Sequence, residues 1–224
     1  MSKINHIAFI MDGNGRWGLK KKRSRNFGHV AGVKTVQKIV KESIILKIPN
    51  ISFYVFSSEN WNRPNSEIKY LFSLINIYFN KEIETIIKNK IKIIVTGRIK
   101  ELPNKLKKIL SRVIQRTQNN DKIIINLAIN YGSRNEIVDT VTKLTKRKKK
   151  ITSNSITKNL YSKLPEPDIL IRTGGQKRLS NFMLWQISYT ELFFIDKLWP
   201  DFNKNDLKNI IKKFHKIKRN FGGI

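Results

Sequence analysis

The 224-residue chain has no cysteine, which excludes disulfides and thiolate metal sites and suits a reducing compartment. Its three histidines, His6, His29 and His215, are scattered, too far apart to build an imidazole-based transition-metal centre. No apolar run approaches the ~20 residues that a membrane-spanning helix needs. The few residues ahead of the first apolar run leave no room for a signal peptide, so a soluble, cytoplasmic protein is expected. Nucleotide loops are missing as well: there is no GxxxxGK[ST], and no GxGxxG follows an apolar run. A nucleophilic Ser-His-Asp order is also absent.

Acidic residues are scarce too, at 16 against 45 Lys and Arg, a formal net charge of +29. Such an excess permits nucleic acid or anionic lipid headgroups as partners. The lysines are spread over every segment among abundant Ile and Asn, a compositional background more than one binding groove. Residues 146–150, KRKKK, form the densest run and read as a solvated connection, with a charged patch as the alternative.

Apolar runs suited to buried strands occur at residues 7–11, 51–56, 91–96, 123–130, 168–171 and 190–195. Between them lie stretches at about 29–46, 66–88, 103–118, 136–144, 155–164, 182–188 and 204–217, each expected to be helical, the first three with an apolar face and 182–188 apolar throughout. Ser66 is placed to cap the second of these, and residues 18–25, GLKKKRSR, read as a mobile basic loop. Strand and helix alternate with crossovers long enough for parallel pairing. The expected fold is therefore α/β: a single domain, residues 1–224, with a roughly six-stranded, mainly parallel sheet flanked by helices.

Three of these strands end in polar, guanidinium-bearing loops. The first is Asp12-Gly13-Asn14-Gly15-Arg16, the second Ser57-Ser58-Glu59-Asn60-Trp61-Asn62-Arg63, and the third Arg172-Thr173-Gly174-Gly175 with Arg178 and Ser180 beyond. Open α/β sheets bind ligands at the carboxyl ends of their strands. Right-handed crossovers would gather Asp12, Asn14, Arg16, Arg25, His29, Ser57, Asn60, Trp61, Arg63, Arg172, Arg178 and Ser180 on one rim. Five guanidiniums around one carboxylate suit a polyanion, and Asp12 suits a divalent cation bridging to phosphate oxygens. The D-G and N-G dipeptides of the first loop are also ordinary turn formers, so those residues alone leave a plain surface turn open. The broad apolar stripe of residues 66–88 fits either a helix packed on the sheet or the wall of an apolar cavity.

The stretches HIAFIMDGNGRW, FGHVAGV, YVFSSENWNRP, LAINYGSR, DILIRTGGQKRLSNFMLWQISYTELFF and LWPDF together resemble the cis-prenyltransferase (isoprenyl transferase) family, and within it the bacterial undecaprenyl diphosphate synthases. They run from residue 6 to beyond 200 in the family's order. The resemblance implies a homodimer whose sheet encloses an apolar tunnel for a growing chain. It further implies an enzyme that uses Mg²⁺ to condense isopentenyl diphosphate onto an allylic diphosphate, farnesyl diphosphate being the expected starter. The product would be a long polyprenyl diphosphate such as undecaprenyl diphosphate, a lipid-carrier precursor for cell-wall synthesis. Transient contact with the inner membrane face is compatible with that product, and no nucleic-acid partner is expected.

By the same resemblance, Asp12 matches the aspartate that holds the metal and assists departure of the allylic diphosphate. Gly13, Asn14, Gly15 and Arg16 match the loop that cradles it, with Arg25 and His29 alongside. Trp17 and Trp61 match aromatic residues flanking the substrates. Asn60 matches the position credited with assisting proton removal, and Ser57, Ser58, Glu59 and Arg63 match the rest of that segment. Arg172, Arg178, Leu179 and Ser180 match the isopentenyl diphosphate pocket. Glu191 matches a second metal carboxylate, and residues 219–223 resemble a C-terminal segment near the dimer and its site. Gln176 departs from the glutamate usual in relatives, and Ser133 and Asn135 also differ from the usual residues. Three rival readings fit parts of the sequence: a haloacid-dehalogenase-like phosphatase, which needs a second acid where this chain has Asn14; an RNA-binding protein driven by charge; and an inactive partner subunit.

Overall fold

The structure, a computed structural model, describes residues 3–219. Six strands form one sheet: β1 (His6–Ile10), β2 (Asn50–Ser57), β3 (Ile91–Thr96), β4 (Ile123–Tyr131), β5 (Ile169–Arg172) and β6 (Glu191–Phe194). Their spatial order is β3-β4-β2-β1-β5-β6, and every neighbouring pair is parallel. The chain first builds the sheet outward from β1 through β2, then crosses back to lay β5 on β1's other side. The order therefore reverses at β1 and β5, where Ile10 is in register with Arg172. That is where an open α/β sheet leaves a crevice beyond its strand ends.

Alternation along the strands sorts side chains onto two faces. Ile7, Phe9, Ile51, Phe53, Ile93 and Ile125 are buried on one face, under α2 (Arg25–Ile45), α3 (Asn65–Lys88), α4 (Asn104–Thr117) and α7 (Lys204–Phe214). Phe9, Phe53, Trp199 and Phe202 form an aromatic cluster there, with Trp199 stacked on Phe202 at 5.6 Å. Ala8, Ile10, Ala128 and Leu170 face the other way, against Tyr131, Phe182, Met183 and Ile187. Burying each large apolar side chain contributes about 1.5–3 kcal/mol before entropy is charged against it.

The expected six-stranded α/β layer is present; local departures have local causes. Residues 14–20, expected as loop, form the short helix α1 (Asn14–Lys20), and α2 begins at Arg25, four residues before the predicted start. Glycine explains this by permitting close approach. A Cβ on Gly18 would lie 2.2 Å from the Ser24 carbonyl oxygen, and one on Gly28 1.8 Å from that of Asn14, so α1 and α2 touch backbone to backbone. Only Gly13 of that loop uses its conformational freedom, at φ 107°. Ser24 caps α2 by accepting from the Phe27 N–H, whereas Ser66 caps nothing, because α3 already starts behind Pro64. Residues 182–188 form successive turns, not a helix; Ser180, Asn181 and Met183 adopt left-handed φ values of 49°, 61° and 50°. The remaining helices, α5 (Ser133–Lys146) and α6 (Ser153–Asn159), complete the crossover to β5. No helix is long and apolar enough to cross a membrane among the described residues.

Candidate active site

Asp12 leaves β1 at the sheet's reversal point, and its main chain is fixed before its side chain does anything. The Asp12 carbonyl accepts from the Trp199 N–H at 3.0 Å and from Thr173 Oγ1 at 2.8 Å. Its carboxylate receives Arg172 Nη2 at 2.9 Å on one oxygen and Arg16 Nη2 at 3.1 Å on the other. Arg172 is 3% exposed; its other terminal nitrogen donates to Ser180 Oγ at 2.8 Å and to the Arg178 carbonyl. Its Nε is buried without a hydrogen-bond partner among the described residues. Arg16 also donates to the Gly174 carbonyl at 2.8 Å. Gly174 sits at φ 89°, where a Cβ would come within 2.5 Å of that guanidinium.

A second charged knot faces this one. Glu67, in the first turn of α3, receives Arg25 at 3.2 Å and Arg63 at 3.2 Å, and lies 3.6 Å from His29 Nε2. Burial pushes the Glu67 carboxyl up, but hydrogen bonds from Arg25 and the charges of Arg25, Arg63 and His29 outweigh it, so it titrates below the usual range. His29 is lowered, chiefly by burial, against the pull of Glu67. Its Nε2, like Asn14 Oδ1, is buried with no hydrogen-bond partner among the described residues. Glu67 was legible only as a helix-start residue; the signal for its larger part is Arg63 four positions earlier, the spacing at which helix-start side chains meet.

Twelve of the expected site residues line one polar mouth of about 370 Å³: Asp12, Gly13, Asn14, Gly15, Arg16, Arg25, His29, Ser57, Asn60, Arg63, Arg172 and Ser180. The others are placed elsewhere. Trp17 stacks on Phe27 at 5.7 Å and donates to Asp201. Trp61, still 39% exposed, packs on Phe56 and Phe72 and donates to Asn130 Oδ1 at 2.8 Å. Ser58 lies against Gly132, and Glu59 accepts from Asn181 at 2.8 Å. Leu179 packs on the second face, and the Arg178 side chain pairs with Gln176. Asn60 caps its own 3₁₀ turn, its Oδ1 accepting from the Ser57 N–H at 3.2 Å.

Glu191 is not at the mouth. It opens β6 in register with Ile169, at the opposite end of β5 from Arg172, and lies 3.6 Å from Arg219. Through Ile169 it is level with Ile7, so five residue steps of roughly 3.3 Å, besides two strand spacings, separate it from Asp12. One metal ion cannot bridge those two carboxylates within a chain. Residues 220–223 of the expected C-terminal segment lie outside the described residues.

Among the described residues no three His, Asp or Glu side chains converge as a metal cage. Asp12 alone fits a different role, that of one oxygen ligand to a hard cation whose remaining ligands would be phosphate oxygens and water. Behind the mouth lies an apolar cavity of about 160 Å³ between α2, α3 and the sheet. Val33, Val36 and Val40 wall one side, Leu71, Leu74, Ile75 and Tyr78 another, and Ile125, Leu127 and Ile129 the sheet side. Met11, Asn14, His29, Val55 and Leu71 belong to both linings, so the polar mouth opens onto the apolar space.

The chain matches, over residues 10–222, a family model described as "Putative undecaprenyl diphosphate synthase". It is 45% identical to a protein of Fusobacterium nucleatum described as an isoprenyl transferase, over 98% of this chain and 96% of that one. It is 46% identical to another so described from Rickettsia bellii, over 99% of both. A crystal structure of a probable undecaprenyl diphosphate synthase from Campylobacter jejuni superposes with a TM-score of 0.86 at 35% identity, covering all of both chains. Lavandulyl diphosphate synthase from Lavandula x intermedia, solved with dimethylallyl diphosphate, gives 0.93 at 29% identity over 98% of both.

Proposed function

The chain belongs to the undecaprenyl diphosphate synthase family of prenyltransferases, and we propose that residues 1–224 form one domain that elongates an allylic diphosphate, farnesyl diphosphate by preference, with successive isopentenyl units. The carrying observation is the shared lining: a mouth rich in guanidinium groups continues into an apolar cavity through Met11, Asn14, His29, Val55 and Leu71. A diphosphate with a hydrocarbon tail needs that juxtaposition and little else. The product is a long polyprenyl diphosphate such as undecaprenyl diphosphate, with two copies of the chain forming the working unit.

In the reaction the allylic C1–O bond breaks and diphosphate leaves with the bonding pair. The π electrons of isopentenyl diphosphate then bond its C4 to that carbon, and a proton is lost from C2 to give the cis double bond. Arg16, Arg25 and Arg63 surround the allylic diphosphate and stabilise the charge that grows on it. Because Glu67 and Asp12 already orient these groups, little reorganisation is needed at the moment of departure. Arg172, with Ser180, holds the second diphosphate. Asp12 would hold Mg²⁺, which when bound would supply Lewis-acid neutralisation of the leaving-group charge. Asn60 is not the base: an amide is too weak, and its Oδ1 is already taken by the Ser57 N–H. It positions a water or the departing diphosphate, either of which can accept the proton.

Incubation with labelled isopentenyl diphosphate, farnesyl diphosphate and Mg²⁺, followed by chain-length analysis, tests this. Long cis-polyprenyl product is expected, reduced about a thousandfold or more in Asp12→Ala and at least about a hundredfold in Arg172→Ala, the scale for losing preorganised electrostatic groups. Undiminished synthesis in both variants would sink the site assignment.

A further inference from the structure

We propose that the tip of the α1–α2 hairpin, residues 19–27, is the surface on which this protein rests against an anionic lipid bilayer. The inference draws its purpose from the polyprenyl product proposed above, but the observations that carry it are independent of that product. Leu19 and Phe27 are 55% and 45% exposed, and between them Lys20, Lys21, Lys22 and Arg23 are all exposed. Lys20, Lys22 and Arg23 make no ion pair among the described residues. From Gly13 to Lys41 there are nine Lys and Arg and no Asp or Glu, so nothing within the hairpin neutralises its tip. Apolar side chains standing among exposed cations at a turn match the boundary between acyl chains and anionic headgroups.

Position separates this patch from the general lysine background. Arg25 both ends the tip and lines the mouth, its guanidinium lying where a Cβ on Gly15 would come within 2.7 Å. A bilayer seated on the tip would thus meet the opening through which a hydrocarbon tail must leave. The denser run at residues 146–150 lies at the far end of α5, a helix of 14 residues that starts beside Asn181 on the mouth side and carries the chain about 20 Å away. RNA is the weaker fit, because stacking needs open aromatic faces. The Trp17 ring already stacks on Phe27 and carries Lys21 Nζ 5.8 Å from its centroid.

The test is co-sedimentation of the full chain with phosphatidylcholine vesicles containing 30% phosphatidylglycerol, without substrate or metal. Each Lys or Arg near such a surface contributes about fivefold in partitioning. The triple variant Lys20→Gln/Lys22→Asn/Arg23→Gln should therefore bind roughly 100-fold more weakly, and Leu19→Ser roughly fivefold. Asn suits position 22 because Lys22 has φ 54°. The control Lys148→Gln/Lys149→Gln/Lys150→Gln should bind within about twofold of the parent. Circular dichroism and thermal melts establish that each variant is folded. Equal losses in the tip and control variants would overturn the proposal in favour of unspecific charge attraction. So would vesicle binding untouched in the tip variants, or tight binding of single-stranded RNA through the tip with vesicles ignored. Failure here with polyprenyl synthesis intact removes the docking surface alone; vesicle binding without synthesis removes the proposed reaction alone.

Discussion

The two faces of the one sheet are built on opposite plans, and consecutive residues of the same strands serve both. Toward α2 and α3, strands β2, β3 and β4 present Phe53, Val55, Ile93, Ile125 and Leu127, all apolar, and an unfilled cavity remains. Toward the other side these strands and β1 carry a polar row. His6 Nε2 meets Ser52 Oγ at 2.8 Å, Asn126 Nδ2 donates to that hydroxyl at 3.0 Å, and Thr96 Oγ1 donates to Asn126 Oδ1 at 3.1 Å. Farther along lies a close-packed region, with Tyr54 stacked on Phe182 at 4.4 Å. There the fully buried Glu136 accepts from Tyr131, Gln186 and the Tyr161 N–H. A face meant for a guest can leave space; a face that fixes strand order and holds the 172–183 segment under the mouth cannot. Directional hydrogen bonds specify register more sharply than apolar contact does, because a slipped register would orphan several buried polar groups at once.

The largest test of that contrast is Glu136→Ala. It would strand the Tyr131 hydroxyl, the Gln186 amide and a backbone N–H in a buried site, costing about 3–5 kcal/mol in urea unfolding. A cost below about 1 kcal/mol would mean that the second face is not the one that locks the fold. Next is acid. Burial lowers His6 to about 4, outweighing the help of its bond to the Pro165 carbonyl. The unfolded chain therefore takes up this proton before the folded one does. Stability from His6 is complete above its unfolded value of 6.5, falls as pH drops toward about 4, and is lost below that. A shift of this size amounts to roughly 3 kcal/mol. Unfolding free energies measured between pH 7 and 4 should show this slope, and His6→Gln should flatten it. An identical slope in the variant would exclude His6 as its source.

Much of the first face was legible in the sequence, because apolar runs and amphipathic periods report burial directly. Strands, their number and the mouth residues Asp12, Arg16, Asn60, Arg63 and Arg172 came from such runs and the polar loops that end them. The second face was poorly legible. Its polar ladder joins His6, Ser52, Asn126 and Thr96 from four strands, and no local pattern pairs residues that far apart. The α1–α2 contact was hidden for a related reason: glycine signals a turn and a close backbone approach alike, and Gly18 and Gly28 serve the second. The contacts of Trp61 with Phe56 and Phe72 were not legible either, because they join a loop to a strand and to the following helix with no local pattern between them. Glu191 was assigned by family pattern, and only strand register reveals that it opens its strand at the wrong end for Asp12.

The smallest effect is the most discriminating, since it sets one kind of substitution on both faces. Ala128 is 1% exposed and packed on the second face, so Ala128→Leu must displace neighbours that have nowhere to go and should cost about 1–3 kcal/mol. Leu74 borders the cavity, and Leu74→Phe adds bulk where space is already open. Its cost should stay below about 1 kcal/mol, because the ring replaces emptiness and not atoms. Its effect should fall on chemistry instead: a ring intruding on the path of the tail shortens the polyprenyl product while initial condensation proceeds. Thermal melts and chain-length analysis of the two variants read both axes. If Leu74→Phe destabilises as much as Ala128→Leu, the space beside α3 is a packing defect; if it melts normally yet leaves chain length unchanged, the tail runs elsewhere.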